Sequence, residues 1–451
     1  MNMPERQAWR ALAALCIGFF MILLDQTVVA VATPQFQTEL GASINQVVWV
    51  TSIYLLMFAV PLLVTGRLGD RFGQRNVYLV GMVIFTLSSL ACGLASNIVA
   101  LIVARAAQGL GASIMAPQTM SVINRVFARD RRGAAMGIWG AVAGLATLTG
   151  PILGGIIVDS IGWQWVFFIN VPLGILSLAM VAVWVPPMPR LARKIDFASV
   201  IVSIVGMFGL VFAVQEGPDR GWPIWIWGVL AVGCIFIAVF IRLQQTVAAP
   251  LIPLEIFRNR NFSIGAFSIA MMGFAVSGTM LPVMIFLQEG HGLSAERAGF
   301  MLVPMAVISG LLAPFVGRLS DRLDPRILSM SGFAFMTVAI LLLVVVMRDG
   351  ISLWWMLLPI TFMGFGNGLV WSPNSATAMR DLPMKSVGAA SGVYNSTRQV
   401  GSVVGAAVIG AAMQIGAAMT DIATAMGNAV IPAVIALGFG LAAVSRFRHE
   451  K

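Results

Sequence analysis

Charge is what this sequence has least of. Of 451 residues only 28 are Lys or Arg and 18 are Asp or Glu, while apolar residues make up 59%. A water-soluble domain of this length needs far more charge on its surface, so that class is excluded. Cysteine is nearly as scarce: Cys16, Cys92 and Cys234 all lie in apolar stretches, which argues against a disulfide framework and for small buried hydrophobes. The two histidines, His291 and His449, fall in a loop and in the C-terminal tail, where they build neither a metal site nor an intramembrane proton relay. No G-x-x-x-x-G-K-[ST] run occurs, which removes direct drive by ATP. A clustered His/Asp/Glu set or a nucleophile–base pair, as an intramembrane enzyme requires, is also missing.

What the chain has instead is apolar length. Spans run at about 10–32, 47–66, 76–96, 98–124, 133–158, 162–186, 196–216 and 223–244. Six more follow at 262–288, 296–316, 327–347, 352–378, 387–415 and 427–446. Each is long enough to cross roughly 30 Å of hydrocarbon as a helix. The expectation is therefore an all-α integral membrane protein with fourteen spans. The first span is too long for the core of a cleavable signal peptide and contains Asp25, so it is expected to act as its own targeting signal.

The net charge of +10 invites a nucleic-acid reading, but its distribution opposes it. Twenty-three of the 28 basic residues fall in alternate loops and the termini, three fall on the other side, and two, Arg105 and Arg398, lie inside apolar spans. That asymmetry marks the basic side, with both termini, as cytoplasmic. The expected location is the cytoplasmic (inner) membrane, with the lipid bilayer as partner and no nucleic acid.

A ten-residue loop occurs almost twice. Gly66-Arg67-Leu68-Gly69-Asp70-Arg71-Phe72-Gly73-Gln74-Arg75 returns as Gly317-Arg318-Leu319-Ser320-Asp321-Arg322-Leu323-Asp324-Pro325-Arg326, with six of ten positions identical. A charged loop repeated between apolar spans points to two related membrane halves. The copies begin 251 residues apart, more than six spans occupy, and the excess accommodates the seventh and eighth. The resulting division is a six-helix bundle over 1–187, a two-helix insertion with its linkers over 188–260, and a second six-helix bundle over 261–451.

Six groups of residues carry chemistry. Asp25 is the carboxylate placed well inside an apolar span, where an ionised side chain costs about 2.5–3.5 kcal/mol and must face a partner or a cavity. A carboxyl in such surroundings is suited to taking up and releasing a proton. Arg105 shares a helical face with Gln108, and since it stays charged its role is electrostatic. Gly144, Gly150, Pro151, Gly154 and Gly155 let the fifth span approach a neighbour closely and bend. Ser391, Asn395, Arg398 and Ser402 lie on one stripe of the thirteenth span, where Asn395 and Arg398 are candidates for proton coupling or substrate contact and Arg398 alternatively for a structural anchor; Asn367, Trp371 and Asn374 share one face of the twelfth as pocket candidates. Gly69, Asp70 and Arg71, with Asp321 and Arg322 in the second copy, form the expected gate. There Asp70 caps the next helix or pairs with a basic residue such as Arg129 or Arg132.

These stretches resemble the major facilitator superfamily and, within it, the fourteen-helix drug:proton antiporters. The first loop matches the one between helices 2 and 3 of that superfamily. Leu24-Asp25-Gln26-Thr27 to Pro34 resembles the family's helix 1 signature, which usually has Asn where Ala30 stands. Arg105-Ala106-Ala107-Gln108-Gly109-Leu110-Gly111 resembles the helix 4 motif, whose arginine is implicated in proton coupling. Gly150-Pro151-Ile152-Leu153-Gly154-Gly155 resembles the antiporter motif of exporters, and Tyr394 to Gln399 the corresponding late segment. The resemblance implies a proton-coupled exporter of small lipophilic, often cationic, drugs, with protons as the coupling ion, no cofactor and no catalytic residues. Three alternatives stay open: a lipid, siderophore or metabolite cargo; a non-transporting sensor; and accessory periplasmic proteins as additional partners.

Overall fold

Long apolar runs leave the backbone one open-ended way to satisfy its polar groups within hydrocarbon, the helix. The computed structural model describes residues 4–127, 132–188, 196–247, 250–320, 324–382 and 384–448. The first helices are α1 (Glu5–Leu40), α2 (Ile44–Ala59), α3 (Leu62–Phe72), α4 (Gln74–Gly93), α5 (Ile98–Val126) and α6 (Arg132–Ile161). They are followed by α7 (Trp165–Phe168), α8 (Asn170–Trp184), α9 (Phe197–Arg220) and α10 (Ile224–Thr246). Then come α11 (Arg260–Ile285), α12 (Ala295–Met301), α13 (Val303–Ser320), α14 (Pro325–Val346), α15 (Leu357–Met379), α16 (Met384–Ala417), α17 (Ile422–Ala429) and α18 (Ile431–Val444).

Several expected spans are pairs of these helices. α2 and α3 meet at a 49° bend at Pro61, and α7 runs into α8 at Asn170. α12 and α13 break at Leu302, and α17 and α18 at Val430, just before Pro432. Among the described residues twelve helices are long and apolar enough to cross a membrane, thirteen when the bent α2–α3 pair counts as one. The expected fifth span falls on α6, of which Thr149–Ile161 ranks as a shorter apolar helix. Helix starts are set by local chemistry: Asn97 accepts from Ala100 N, Asp196 from Ala198 N and Asp421 from Thr424 N, while Ser43 and Gln46 form a capping box.

The helices before residue 188 and those after 260 share one apolar core. It runs from Val28, Phe36 and Val48 into Phe262, Met284 and Phe333. A second cluster gathers Tyr54, Tyr78 and Phe85 within the earlier helices. α9 lies against α2 and α16, with Trp49 tilted over Phe208 and Phe212. α10 faces outward and buries only Ile226, Gly233, Phe240 and Gln244. Glycines set its closeness to α9, since a Cβ on Gly233 would come within 2.7 Å of the Leu210 amide.

The described hydrogen bonds that join the earlier helices to the later ones lie at the end opposite the basic loops. Gln37 donates to Glu289 at 2.6 Å, Gln288 to the Val31 carbonyl at 2.9 Å and Gln414 to Asn45 at 3.0 Å. Asp159 accepts from the first amides of α12, Ala295 at 3.2 Å and Glu296 at 2.6 Å. That end of the bundle is closed.

Candidate functional site

Asp25 sits mid-way along α1, and two other helices, α5 and α8, supply what its position demands. Arg105 of α5 approaches Asp25 Oδ2 at 2.5 Å through Nη1. Gln108, one turn further along α5, donates to Asp25 Oδ1 at 2.8 Å, and Asn170 at the α7–α8 break donates to the same oxygen at 3.3 Å. Both side chains of the ion pair are at most 1% exposed. Removing two charges from water is tolerable only when the remaining donors and acceptors find partners, and here both Asp25 oxygens and the Nε and Nη1 of Arg105 have them. Arg105 also donates from Nε to the Val50 carbonyl and from Nη1 to Gln108 Oε1, and its guanidinium lies 4.1 Å from the Tyr54 ring. Ser89 of α4 receives hydrogen bonds from Gln108 and Asn170 and donates to the Phe167 carbonyl at 2.9 Å. The result is a connected polar network crossing α1, α2, α4, α5 and the α7–α8 break.

The shared face expected for Arg105 and Gln108 is present. Beside it, Gly109 lets α5 close on α2: a Cβ there would strike the Tyr54 carbonyl. Four members of the network carry no sequence signal beyond an uncharged polar residue in an apolar span: Ser89, Tyr54, Asn170 and Cys92, whose thiol donates to Gln108 Oε1 at 3.6 Å. The Asn170-Val171-Pro172 run at a helix break is the one cue that could have singled out Asn170.

The glycine motif forms seams on two sides of α6. A Cβ on Gly150 would overlap the Thr27 hydroxyl, and one on Gly154 would lie 3.3 Å from Val28 Cα, so these residues press α6 against α1 beside Asp25. Gly155 faces the other way, where a Cβ would come within 2.6 Å of the Ala295 carbonyl and of Glu296 Cα. Gly299 returns the contact on the Pro151 carbonyl. Gly144 is on the same helix, and its surroundings lie outside the described residues.

In the repeated loop Asp70 does not cap α4. Its carboxylate pairs with Arg125 at the end of α5 at 3.1 Å and accepts from Gln74 at 3.1 Å. Arg129, Asp321 and Arg322 lie outside the described residues, and so does the side chain of Arg132. Gly69 is required by close approach, since a Cβ there would overlap the Gln118 amide, which donates to the Thr65 carbonyl at 2.7 Å. Gly73 has φ +91°, a backbone geometry that favours glycine. Arg71 is exposed beside the Phe72 ring, and Arg67 donates to the Pro250 carbonyl, tying the loop to the linker after α10.

In the later helices Arg398 is half-buried with its guanidinium 5.7 Å from the Trp371 ring. Asn395 donates to the Ser391 carbonyl of its own helix at 3.0 Å, and Asn367 is half-buried on α15. Asn374 is not open to a pocket. It is fully buried, donates to Tyr394 Oη at 2.8 Å and to the Gly265 carbonyl at 3.2 Å, and accepts from Ser268 at 3.0 Å, clamping α11, α15 and α16 together.

Glu216 is a second buried carboxylate that the apolar runs did not reveal, because the expected seventh span ends on it. It accepts from Asn45 at 2.9 Å, Trp49 Nε1 at 2.7 Å and Arg220 at 2.7 Å, binding α9 to the start of α2.

Helices that cross a membrane, a buried ion pair inside the bundle and glycine seams between two helix groups define a multi-pass membrane transporter. Residues 15–406 match the Major Facilitator Superfamily, and the chain belongs to it. It is 46% identical over 409 residues to an uncharacterised transporter of this type from Mycobacterium tuberculosis, an alignment that covers 90% of this chain and 71% of the relative. It is 34% identical to the multidrug resistance protein Stp of Mycobacterium tuberculosis, covering 89% of this chain and 75% of that one. A tetracenomycin C resistance and export protein of Streptomyces glaucescens is also 34% identical, with 90% and 76% covered. Among solved structures, an auto-inhibited peptide transporter of the POT family superposes with a TM-score of 0.71 at 17% identity, covering 99% of this chain and 98% of that one. At that identity the likeness concerns the fold alone.

Proposed function

We propose that the protein is a proton-driven antiporter that exports small lipophilic compounds across the cytoplasmic membrane by alternating access. The observation that carries this reading is the buried Asp25–Arg105 pair, a carboxylate held against a cation that cannot give up its charge. Relatives named for multidrug resistance and for resistance and export support the cargo class. In this scheme α6 supplies the fifth of fourteen spans, the termini and basic loops face the cytoplasm, and two six-helix bundles flank the α9–α10 pair. The closed end of the bundle is then the outer one.

Coupling follows from the geometry. A proton on Asp25 cancels the charge that holds Arg105, which keeps Gln108 Oε1 and the Val50 carbonyl as acceptors. α1 is then free to shift against α5, and α6, seated on Thr27 and Val28, moves with it. Because Gly155 and Gly299 join α6 to α12, the shift reaches the seam between the bundles. The Asp70–Arg125 pair breaks and re-forms at the cytoplasmic end as that side opens and closes. No cofactor takes part.

The test uses inverted vesicles containing the full chain, an imposed proton gradient and a panel of cationic, neutral and anionic hydrophobic dyes. Gradient-dependent dye movement by the wild type, lost in Asp25→Asn, is expected. If the wild type moves none of the dyes, the export reading fails. If Asp25→Asn equals the wild type, the coupling site has been misassigned.

A further inference from the structure

Two buried carboxylates of the described helices are internally neutralised. Asp25 is matched by Arg105, and Glu216 by Arg220. Arg398 is not. Among the described residues its guanidinium has no ion pair and no hydrogen bond; it lies by the face of Trp371 and interacts electrostatically with the Tyr394 hydroxyl. A guanidinium inside a membrane bundle without an acceptor is costly, and such residues mark ligand paths.

The placement of Arg398 agrees. On α16, Gly401 and Gly405 press against Ala270 and Phe274 of α11, while Gly410 presses against Val48 of α2. At 100° per residue, the stripe of Ser391, Asn395, Arg398 and Ser402 runs along the edge of the face that meets α11, where Gly273 abuts the Arg398 carbonyl and the Ser402 hydroxyl, on the side toward the face that meets α2. α11 follows the central insertion and α2 precedes it, so this stripe borders the space between the two helix groups. Arg398, Asn395, Trp371 and Asn367 all remain partly accessible, unlike Asp25, whose two oxygens are occupied.

We infer that Arg398 and Trp371 form a cargo-recognition subsite for planar aromatic anions. The carboxylate or phenolate oxygen of the ligand accepts from the guanidinium fork, and its ring stacks on the indole. Trp371 at one edge keeps the guanidinium in place when the subsite is empty. This inference rests on the export reading for its biological sense, but it gives the cargo a negative charge where the helix motifs alone suggested a positive one. The carboxylate that would have attracted a cation is already engaged with Arg105.

The experiment compares two probes that share a ring system and differ in charge, 1-pyrenecarboxylate and 1-pyrenemethylammonium. Binding to the full chain in lipid nanodiscs is titrated by fluorescence, with empty nanodiscs subtracted. The carboxylate should bind the wild type roughly tenfold to a hundredfold more tightly than the ammonium, the range one charge-assisted hydrogen bond covers. Arg398→Gln should abolish that preference. Arg398→Lys, which keeps the charge and guards against misfolding of the first variant, should retain part of it, and Trp371→Leu should weaken carboxylate binding. Equal binding of the two probes, tighter binding of the ammonium, no binding of either, or an unchanged carboxylate affinity in Arg398→Gln would each overturn the proposal. Binding needs no proton gradient, so the two readings fail separately. A wild type that binds the carboxylate selectively but moves no dye under a gradient rejects export and keeps the subsite. Gradient-driven export without charge preference does the reverse.

Discussion

Replacing Asp25 by Asn and Arg105 by Gln, singly and together, measures what the buried pair contributes to the fold. Asn keeps an acceptor for Gln108 and Asn170, but it turns an amide toward Arg105 Nη1, now 2.5 Å from Asp25 Oδ2. Breaking a buried pair by removing one partner leaves an uncompensated charge and costs about 3–5 kcal/mol. Arg105→Gln strands the carboxylate and also removes the contact with Tyr54, which contributes up to about 2 kcal/mol in a dry site. The double variant strands no charge, since two neutral amides can hydrogen-bond across the same gap. Its loss should be about 1–3 kcal/mol, below that of either single variant, with a coupling energy of at least about 3 kcal/mol. Reversible unfolding of the four proteins in mixed micelles, followed by circular dichroism, gives the cycle. A double variant whose loss equals the sum of the single losses would show that the two side chains do not act as a unit, and the coupling mechanism built on them would fall with it.

Other parts of the structure make independent predictions. Gly155→Leu forces α6 from α12, where a Cβ already meets backbone at 2.6 Å; overpacking of this kind costs about 1–3 kcal/mol. It should lower the yield of a disulfide engineered between positions 37 and 289, which report closure of that end. Asp70→Asn should change stability by less than about 1 kcal/mol, because its pair with Arg125 is partly solvated, yet it should reduce gradient-driven flux several-fold. Thermal melts and vesicle transport measured on one preparation separate the two effects. Glu216→Ala leaves the Asn45 amide and the Trp49 indole without their acceptor, for a loss of about 1–3 kcal/mol read as a lowered melting midpoint. An unchanged midpoint would mean that α9 is held to α2 by its aromatic contacts alone.

The helices were legible because apolar length is a one-dimensional property, and Asp25 and Arg105 because a charge stands out in an apolar run. Gln108 followed from Arg105 by helical spacing. Asn170, Ser89 and Tyr54 could not be found that way. Uncharged polar residues occur throughout membrane helices, and only the packing of α4, α5 and the α7–α8 break decides which of them reach Asp25. The same limit hid the role of Asn374, whose position on a face with Asn367 and Trp371 suggested a pocket, whereas its three hydrogen bonds make it a clamp. Glu216 was missed for a different reason. It lies at the end of a span, where a carboxylate is ordinarily solvated, and the indole of Trp49 and amide of Asn45 that bury it come from the other end of the earlier bundle's sequence. For Asp70 the role as a partner of basic residues was readable, but the choice of Arg125 depended on how α3 crosses the end of α5.

The order in which the chain is made gives the central network a timetable. Asp25 precedes Arg105 by 80 residues and Asn170 by 145. At about 5–20 residues per second, Asp25 is synthesised roughly 4–16 seconds before its cation. During that interval the first helix must hold its carboxyl in lipid or at the insertion machinery without the partner that later neutralises it. Arg105 meets the opposite situation, since its acceptor is already in place when it arrives, and Asn170 then closes the set as the α7–α8 segment enters. A substitution at Arg105 therefore prolongs an exposed state that every copy of the protein passes through, whereas one at Asp25 leaves an incoming guanidinium with nothing to meet. Ribosome-bound chains stopped before and after residue 105 would separate these two failures, because only the first exists before the fourth span has been made.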